Sequence, residues 1–566
     1  MDYFDIFGNF LNTKQCLFTL TTFSLIMTLT EKKYILAIDH GTQGPKTAIV
    51  STRGEVLEWA YEETPIHAFS GGIVEQNPDD WWNAIKSTTK KVIESGRVRV
   101  EDIVGVCNTS QWSGTVAVDK DGNHLMNSII WMDTRGAKHI EKLNRGLIKV
   151  SGYNLRKILS LLKRTAGGPA SHGKDSIAHI LVIKDELPDI YEQTFNFLEP
   201  QDYVNFKLTG KFAASTASIH LHWLTDTRDL HNIHYSKKLL RMFKVDRKKF
   251  PELKNCTDIL GPLKKEVADE LGLEKSTQVV MGAPDIHSAT IGSGAVNDYE
   301  AHIYIGTSDW IFTHIPYKKT DIVHNLGSLP SAIPGRFIVG NEQNIAGGSL
   351  AFLRDKILYH KDELLKDEAV PDVYKIFDKI VENVSPGSNN LIYTPWLIGE
   401  RSPVDDATIR GGLYNLSFEM SRAHIIRAIF EGVAYNIKWL LSVIEDFIRK
   451  WVAKERGVPK KGIIIPELNM IGGGAQSDIW CQIIADVLDR KIKQVVEPIQ
   501  ANARGAAYIA SIALGYLNWN EIQTCCEISK EFIPNPDNRN IYDKLFGEYV
   551  NIYKTMKKTY KRLNTQ

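Results

Sequence analysis

A carboxylate at the end of an apolar strand, followed at once by a turn of Gly, Thr and Gln, constrains this chain more than any other feature. The segment is Ile38-Asp39-His40-Gly41-Thr42-Gln43-Gly44-Pro45-Lys46. Tyr34 to Ile38 reads as a buried strand, Lys46 to Ser51 as its return, and Val56 to Tyr61, beyond the turn Thr52-Arg53-Gly54, as a third run. Together they predict a β-meander with a glycine-containing tip. Glycine lets backbone approach a ligand, and Thr and Gln add neutral hydrogen-bonding groups, so the tip suits a polyphosphate as well as an ordinary hairpin turn. A second tip, Gly306-Thr307-Ser308, joins Ala301–Ile305 to the run Trp310 to Thr313. Two such hairpins in separate halves predict two related domains facing each other over one ligand.

A chain of 566 residues exceeds a single core and should form two domains. Net charge +1 provides no strong field for nucleic acid or anionic lipid, so neither nucleic acid nor membrane is an expected partner. Bound phosphates would be gripped locally. The cysteines (Cys16, Cys107, Cys256, Cys481, Cys525 and Cys526) lack Cys-x-x-Cys spacing, which speaks against a zinc site or disulfide framework and fits a reducing, cytoplasmic setting. Cys16 to Thr30 is apolar but Thr-rich, too short to span a bilayer and without a small-residue cleavage site. It is expected to be a disordered arm, with Met27 as an alternative start.

Beyond the meander, Asn77 as N-cap, Pro78 at the first position and Trp81, Trp82, Ile85 and Val92 on one side predict a helix. Ile103 to Thr109 is a further strand, and helices at Ser176 to Glu186 and Pro200 to Leu208 suggest a lobe beside the sheet, after a glycine-containing and mobile run from Thr165 to Gly173. The strand Gln278 to Gly282 delivers Ala283-Pro284-Asp285, and Gly292-Ser293-Gly294 marks a boundary. The second half again alternates strand and helix, with a long helix from Ser421 to about Trp451 and a strand Leu468 to Ile471 running into Gly472-Gly473-Gly474-Ala475. The expected organisation is an arm over 1–32, domains over 33–296 and 297–537, and a helical tail over 538–566.

Asp285, at a strand end, could take a proton from a substrate hydroxyl or cap the following helix, and the two readings are compatible. Asp39 on a buried strand needs a partner, for which Mg²⁺ beside phosphates, Lys46 or a backbone donor would each serve. Gly472 to Ala475 lets backbone press on a flat ring or a phosphate, or is a tight turn, but it is neither a Walker loop nor a dinucleotide fingerprint. Gln111, Trp112 and Ser113 offer an amide, an indole and a hydroxyl for a polyol, and Asp133 a second carboxylate. Each of these also has a purely structural reading.

Taken in order, these residues resemble the FGGY family of carbohydrate kinases, in the sugar kinase, actin and Hsp70 superfamily, over nearly the whole chain. Asp39 to Lys46 resembles the family's first phosphate motif, Ile305-Gly306-Thr307-Ser308 the second, and Gly472 to Ala475 the adenosine motif, with Ala503-Arg504-Gly505-Ala506-Ala507 as the helix that follows. Gly412 to Leu416, Arg422-Ala423-His424 and Glu431 to Ala434 resemble its second signature, and Asp285 falls at the catalytic-base position. The resemblance implies an α/β fold of two actin-like (ribonuclease H-like) domains around a central cleft. It implies ATP-dependent phosphorylation of a sugar hydroxyl, with a ketopentose such as xylulose as first choice and another ketose, a pentitol or a glycerol-like polyol as runner-up. A catalytically silent sugar or nucleotide sensor is the alternative of another class. By the same resemblance Gln111, Trp112, Ser113, Asp133 and Asp285 would bind sugar, and Gly41, Thr42, Gln43, Lys46, Gly306, Thr307, Ser308, Gly472, Gly473, Gly474 and Ala475 would bind ATP. Asp39 would hold Mg²⁺. A homodimer is one option for assembly. Xylulose kinases commonly read Gly-Gln-Met-His-Gly where this chain has Ser110-Gln111-Trp112-Ser113-Gly114, and Asn where it has Ile286, so the sugar is left open.

Overall fold

The computed structural model describes residues 32–146, 148–150, 153–358, 372–456 and 465–565. The expected N-terminal arm, apart from residue 32, lies outside the described residues. Strands β1 (Tyr34–Gly41), β2 (Gly44–Ser51) and β3 (Val56–Tyr61) form the meander, and α1 (Pro78–Glu94) leads into β4 (Ile103–Ser110). A lobe carrying α2 (Leu155–Thr165), α3 (Ser176–Glu186) and α4 (Pro200–Thr209) follows, and the chain returns as β5 (Ile259–Pro262), β6 (Gln278–Val280) and α5 (Asp285–Gly292). The second half opens with β7 (Ala301–Ile305), β8 (Asp309–Ile315), β9 (Leu329–Pro330) and β10 (Phe337–Gln343). Helix α6 (Arg422–Arg456), β11 (Glu467–Ile471), α7 (Asp478–Leu488), β12 (Lys491–Val495), α8 (Ala501–Ala513), β13 (Ile528–Phe532) and α9 (Arg539–Asn564) complete it.

The two sheets repeat one plan. The first runs β5-β6-β4-β1-β2-β3 and the second β9-β10-β8-β7-β11-β12-β13. Starting from the meander, the pairings in the first sheet are antiparallel (β3 with β2, β2 with β1), parallel (β1 with β4, β4 with β6) and antiparallel (β6 with β5). In the second the same sequence of directions runs from β10 to β13, with β9 added at the edge. This is the doubled actin-like α/β architecture. The Gly-Thr tips follow β1 and β7, the equivalent strands.

Both of these strands are buried on two faces, which is why they read as unbroken apolar runs rather than alternating ones. Leu36 and Ile38 pack with Trp82, Ile85 and Val92 of α1, while Ile35 and Ala37 meet Ala503, Ala506 and Ala507 of α8. In the second half Ile303 and Ile305 face Ile426, Phe430 and Val433 of α6. Their other side is covered by a layer containing Ala289 of α5. Helix α8, although it follows β12, therefore covers the first sheet, and α5, although it follows β6, covers the second. The two helices cross in contact between the sheets. The crossing is close because glycine stands on each side: a Cβ at Gly505 would lie 1.9 Å from the Ser288 carbonyl oxygen, and one at Gly292 would lie 1.8 Å from that of Ala501.

One expectation changes. The run Thr165 to Gly173 is pinned rather than loose, since Tyr153 donates to the Pro169 carbonyl at 2.9 Å, Thr320 to that of Ala166 at 2.6 Å, and the Ala170 amide to Asp175. The tail is helical as expected, but Tyr542, Leu545, Tyr549 and Tyr553 of α9 are buried in the second core. There Tyr542 donates at 3.0 Å to Glu431, which also pairs with Arg427 at 2.7 Å. No helix among the described residues is long and apolar enough to cross a membrane.

Candidate active site

Asp39 lies at the C-terminal end of β1, opposite Lys46 on β2 and beside Thr109 on β4. Its carboxylate is 3.7 Å from the Lys46 ammonium and accepts a long hydrogen bond, 3.3 Å, from the Asn502 side chain at the start of α8. Lys46 in turn donates to the Ile499 carbonyl at 2.9 Å. The first tip is thus tied to the second half of the chain by both residues. Asn502 is a contact that sequence reasoning missed, because nothing in a helix start between small residues marks it.

The tip itself is held by a chain of side chains. Trp131 donates to the Thr42 hydroxyl at 2.9 Å, that hydroxyl donates to Gln111 at 3.0 Å, Gln111 donates to Gln76 at 2.8 Å, and Gln76 closes the loop on the Thr42 carbonyl at 2.8 Å. Gly41 and Thr42 are half-buried and Gln43 is exposed at the end of the turn.

Asp285 is the first residue of α5, where the helix N-terminus faces the same end of the sheet. Asn108, Gln201 and Asn205 hold the strand end in front of it: Gln201 and Asn205 donate to the Met281 carbonyl at 2.7 and 2.8 Å, and Asn108 to that of Gln201 at 2.9 Å. The Asp285 carboxylate accepts from the Ile286 amide at 2.8 Å and keeps some surface toward the cleft, yet the protein around it is dense. Removal from water pushes its pKa up to about 8, against the Ile286 hydrogen bond, with the negative charges of Asp39 and Glu342 adding to the rise. Asp39 from β1, Glu342 from β10 and Asp285 therefore surround one space.

The second tip and the adenosine-like segment lie against each other. Gly347 donates to the Gly306 carbonyl at 3.0 Å, and Ala346 and Gly348 donate to that of Thr307 at 2.8 and 3.0 Å, which leaves Thr307 exposed at the apex and Ser308 half-buried. Gly472 takes φ 85°, and a Cβ there would sit 2.5 Å from the Ile305 carbonyl oxygen, so only glycine lets the two backbones meet. Gly473 is exposed, Gly474 half-buried, and Ala475 buried beneath. Ser477 caps α7 at Trp480 and donates to Asp378 at 2.7 Å.

The side chains expected to hold sugar are for the most part engaged with protein. Trp112 donates to the Ser218 carbonyl at 2.8 Å and stands edge-on to His287. Ser113, in the left-handed region at φ 64°, donates to the Lys174 carbonyl at 2.8 Å. Gln111 is 2% exposed with both amide atoms bonded as above. Asp133 departs from its expected part as an acceptor of sugar hydroxyls. It is fully enclosed, and accepts from Val74 (2.8 Å) and from the amide and Nε of Arg135 (both 2.9 Å), with Arg135 also on Glu75 at 2.7 Å. Its charge fixes a loop, because a short carboxylate beside an Arg two residues on folds back onto it. Ile286 packs in the layer with Trp310 and Phe312.

At the cleft mouth the two halves touch. His172 lies 3.3 Å from Asp405, and Arg401 pairs with Glu342 at 2.8 Å opposite Lys174, whose pKa burial lowers. A hollow between Glu101, Thr277 and Leu514 sits where β4 and β6 begin, at the opposite end of the sheet from these groups.

The N-terminal domain of the FGGY family of carbohydrate kinases matches residues 34–292, and its C-terminal domain residues 301–514. A xylulose kinase of Bacillus subtilis is 27% identical over 537 residues, covering 92% of this chain and 97% of that protein. A gluconokinase of Bacillus licheniformis is 23% identical and covers 94% and 97%. Among solved structures, a ligand-bound xylulose kinase from Lactobacillus acidophilus superposes with a TM-score of 0.79 at 24% identity, over 94% of this chain and all of that one. With both domains matched in order across one cleft, the chain belongs to the FGGY family of carbohydrate kinases.

Proposed function

We propose that the protein transfers the terminal phosphoryl group of ATP to a hydroxyl of a ketopentose such as xylulose, in the cytoplasm, with Asp285 as the base. The observation that carries this reading is the Asp285 carboxylate, set at a helix N-terminus on the cleft floor with its pKa raised into the range where a base works. The hydroxyl proton goes to Asp285, the oxygen attacks the terminal phosphorus, and ADP leaves. The Gly41 to Gln43 and Gly306 to Ser308 tips would hold the phosphates, Lys46 would pair with them, and Gly472 to Ala475 would lie along the adenosine. Positioning and charge stabilisation supply most of the rate in such a transfer.

Asp39 fits a Mg²⁺ ligand, since its partners at 3.7 and 3.3 Å are long and Mg²⁺ usually takes only one or two carboxylates beside phosphates. No group of three or more acidic, His or Cys side chains that could cage a metal occurs among the described residues. When bound, the ion would neutralise phosphate charge. Contacts across the mouth, such as His172 with Asp405, support a closure that keeps water from competing as acceptor.

Because Asp285 must lose its proton to act, kcat/KM should rise about tenfold per pH unit below about pH 8 and level off above it. A pH profile of ADP release measures this, and a flat profile from pH 6 to 9 would remove Asp285 from the role. Substrate choice follows from how few polar groups remain for the sugar. The indole N–H of Trp112 and the hydroxyl of Ser113 are already bonded, so fewer groups are left unpaired when a substrate hydroxyl is missing, and discrimination should be modest. Steady-state rates on D-xylulose, L-xylulose, D-ribulose, L-ribulose, the pentitols, gluconate and glycerol test this. Exclusive use of D-xylulose would contradict the modest preference, and no use of any ketopentose would contradict the substrate class.

A further inference from the structure

Tyr304 stands one residue before the second tip strand ends, directly across the β7–β8 pair from Trp310. The two rings are stacked, centroids 3.8 Å apart and 6° from parallel. Trp310 is itself fixed by its indole N–H, which donates to His302 at 3.0 Å, and burial holds His302 as the neutral ring that can accept. The phenol lies along the strand over Gly306: a Cβ at Gly306 would be 2.6 Å from the Tyr304 hydroxyl oxygen. The hydroxyl therefore ends at the Gly306-Thr307 turn. Its ring edge borders the layer that contains Ile286, the residue after Asp285.

The hydroxyl has no hydrogen-bond partner among the described residues, although its ring is held by the stack on Trp310. Tyr304 is half-buried, so its hydroxyl, held by the stack at a phosphate-sized turn, stays open to a ligand in the cleft. Burial and the charges of Asp39 and Asp285 raise the phenol's pKa far above neutrality, which keeps it a proton donor throughout the working range. It is then a neutral donor at the second tip, complementing the Lys46 ammonium that lies beside Asp39 at the first.

We propose that Tyr304 is a further catalytic residue, whose hydroxyl donates a hydrogen bond to the phosphoryl group during its transfer. The inference rests on the sugar-kinase reading above and adds one contact to it. In the step, the bond from the terminal phosphorus to the ADP oxygen breaks, the bond to the sugar oxygen forms, the sugar proton passes to Asp285, and Tyr304 keeps its own proton. Preorganised donors of this kind matter most where charge sits on the migrating group, and a stacked, strand-borne phenol loses no freedom when it acts.

The test is Tyr304→Phe in the full chain, which keeps the stack on Trp310 and the cover over Gly306. Three quantities are read: kcat and KM with the best sugar of the wild type, ADP affinity, and affinity for ADP with aluminium fluoride as a mimic of the group in transfer, in magnesium buffer. The expected result is a fall in kcat of about 10- to 100-fold, unchanged sugar KM and ADP affinity, and at least about tenfold weaker binding of ADP with aluminium fluoride. Unchanged kcat, a rise in sugar KM alone, or an equal loss of ADP and of ADP–aluminium fluoride affinity would overturn the proposal. If the wild type phosphorylates no sugar, the sugar-kinase reading fails instead, and the ratio of the two nucleotide affinities still decides whether Tyr304 touches the phosphoryl position.

Discussion

Asp285→Asn should lower turnover by about two to four orders of magnitude while leaving ADP affinity within about twofold. The amide fills the same space but cannot take the proton, and Gly306 and Gly472, the positions proposed to meet the nucleotide, lie on other elements. The same substitution should stabilise the protein. An ordinary aspartate titrates near 3.8, whereas burial holds Asp285 at about 8. Between those values the folded protein keeps a proton that the unfolded chain releases, so folding weakens as pH rises and the penalty is complete above about pH 8. Asn carries no such penalty. Asp285→Asn should therefore melt above the wild type at pH 8, with the gap closing toward pH 4. A variant with near-normal turnover, or one that melts lower at pH 8, would contradict the role and the environment respectively.

Gly505→Ala should be severely disruptive. One methyl group at this position would sit 1.9 Å from the Ser288 carbonyl oxygen, and backbone on both sides cannot yield without moving a helix. The crossing of α5 and α8 would have to open by more than 1 Å, about the difference between 1.9 Å and ordinary contact, at a cost of roughly 3 kcal/mol or more. Function suffers with it, because α5 carries Asp285 and α8 carries Asn502, which reaches Asp39 across the halves. Expected together are a markedly lower thermal midpoint, weaker ADP binding and loss of turnover. Wild-type melting and kinetics in Gly505→Ala would mean that the helix crossing is not the joint that aligns the two tips.

Much of this architecture is legible in the chain because it rests on local signals. The apolar runs at Tyr34 and Ala301, each ending in Gly-Thr, mark the two equivalent strands before any pairing is known. Asn77-Pro78 with acidic residues in the first turn predicts α1, and Asn77 does accept from the Asp79 amide at 3.0 Å. Helix α3 spans the expected Ser176–Glu186. What could not be read is what depends on distant partners. Nothing local says that α5 and α8 cover each other's sheets, since Ala-rich and Gly-containing helices read alike wherever they dock. The polar residues at Gln111 and Asp133 carry the composition of a sugar site, yet the fold commits them to Thr42, Gln76, Val74 and Arg135. Residue type states what a side chain can do, and only the neighbours decide whether it is free to do it. Tyr304 shows the converse: as a strand residue it looks like packing, and only its stack on Trp310 and its reach to Gly306 give its hydroxyl a direction.

The cleft should move phosphate from ATP to a sugar hydroxyl rather than to water. Phosphorus NMR of the full chain with ATP, magnesium and D-xylulose follows that group directly. A sugar phosphate ester should grow in step with ADP, require the sugar, and fail to form with Asp285→Asn on the same timescale. Inorganic phosphate in place of the ester, or no ADP with D-xylulose or any of the related ketoses and polyols, would contradict it.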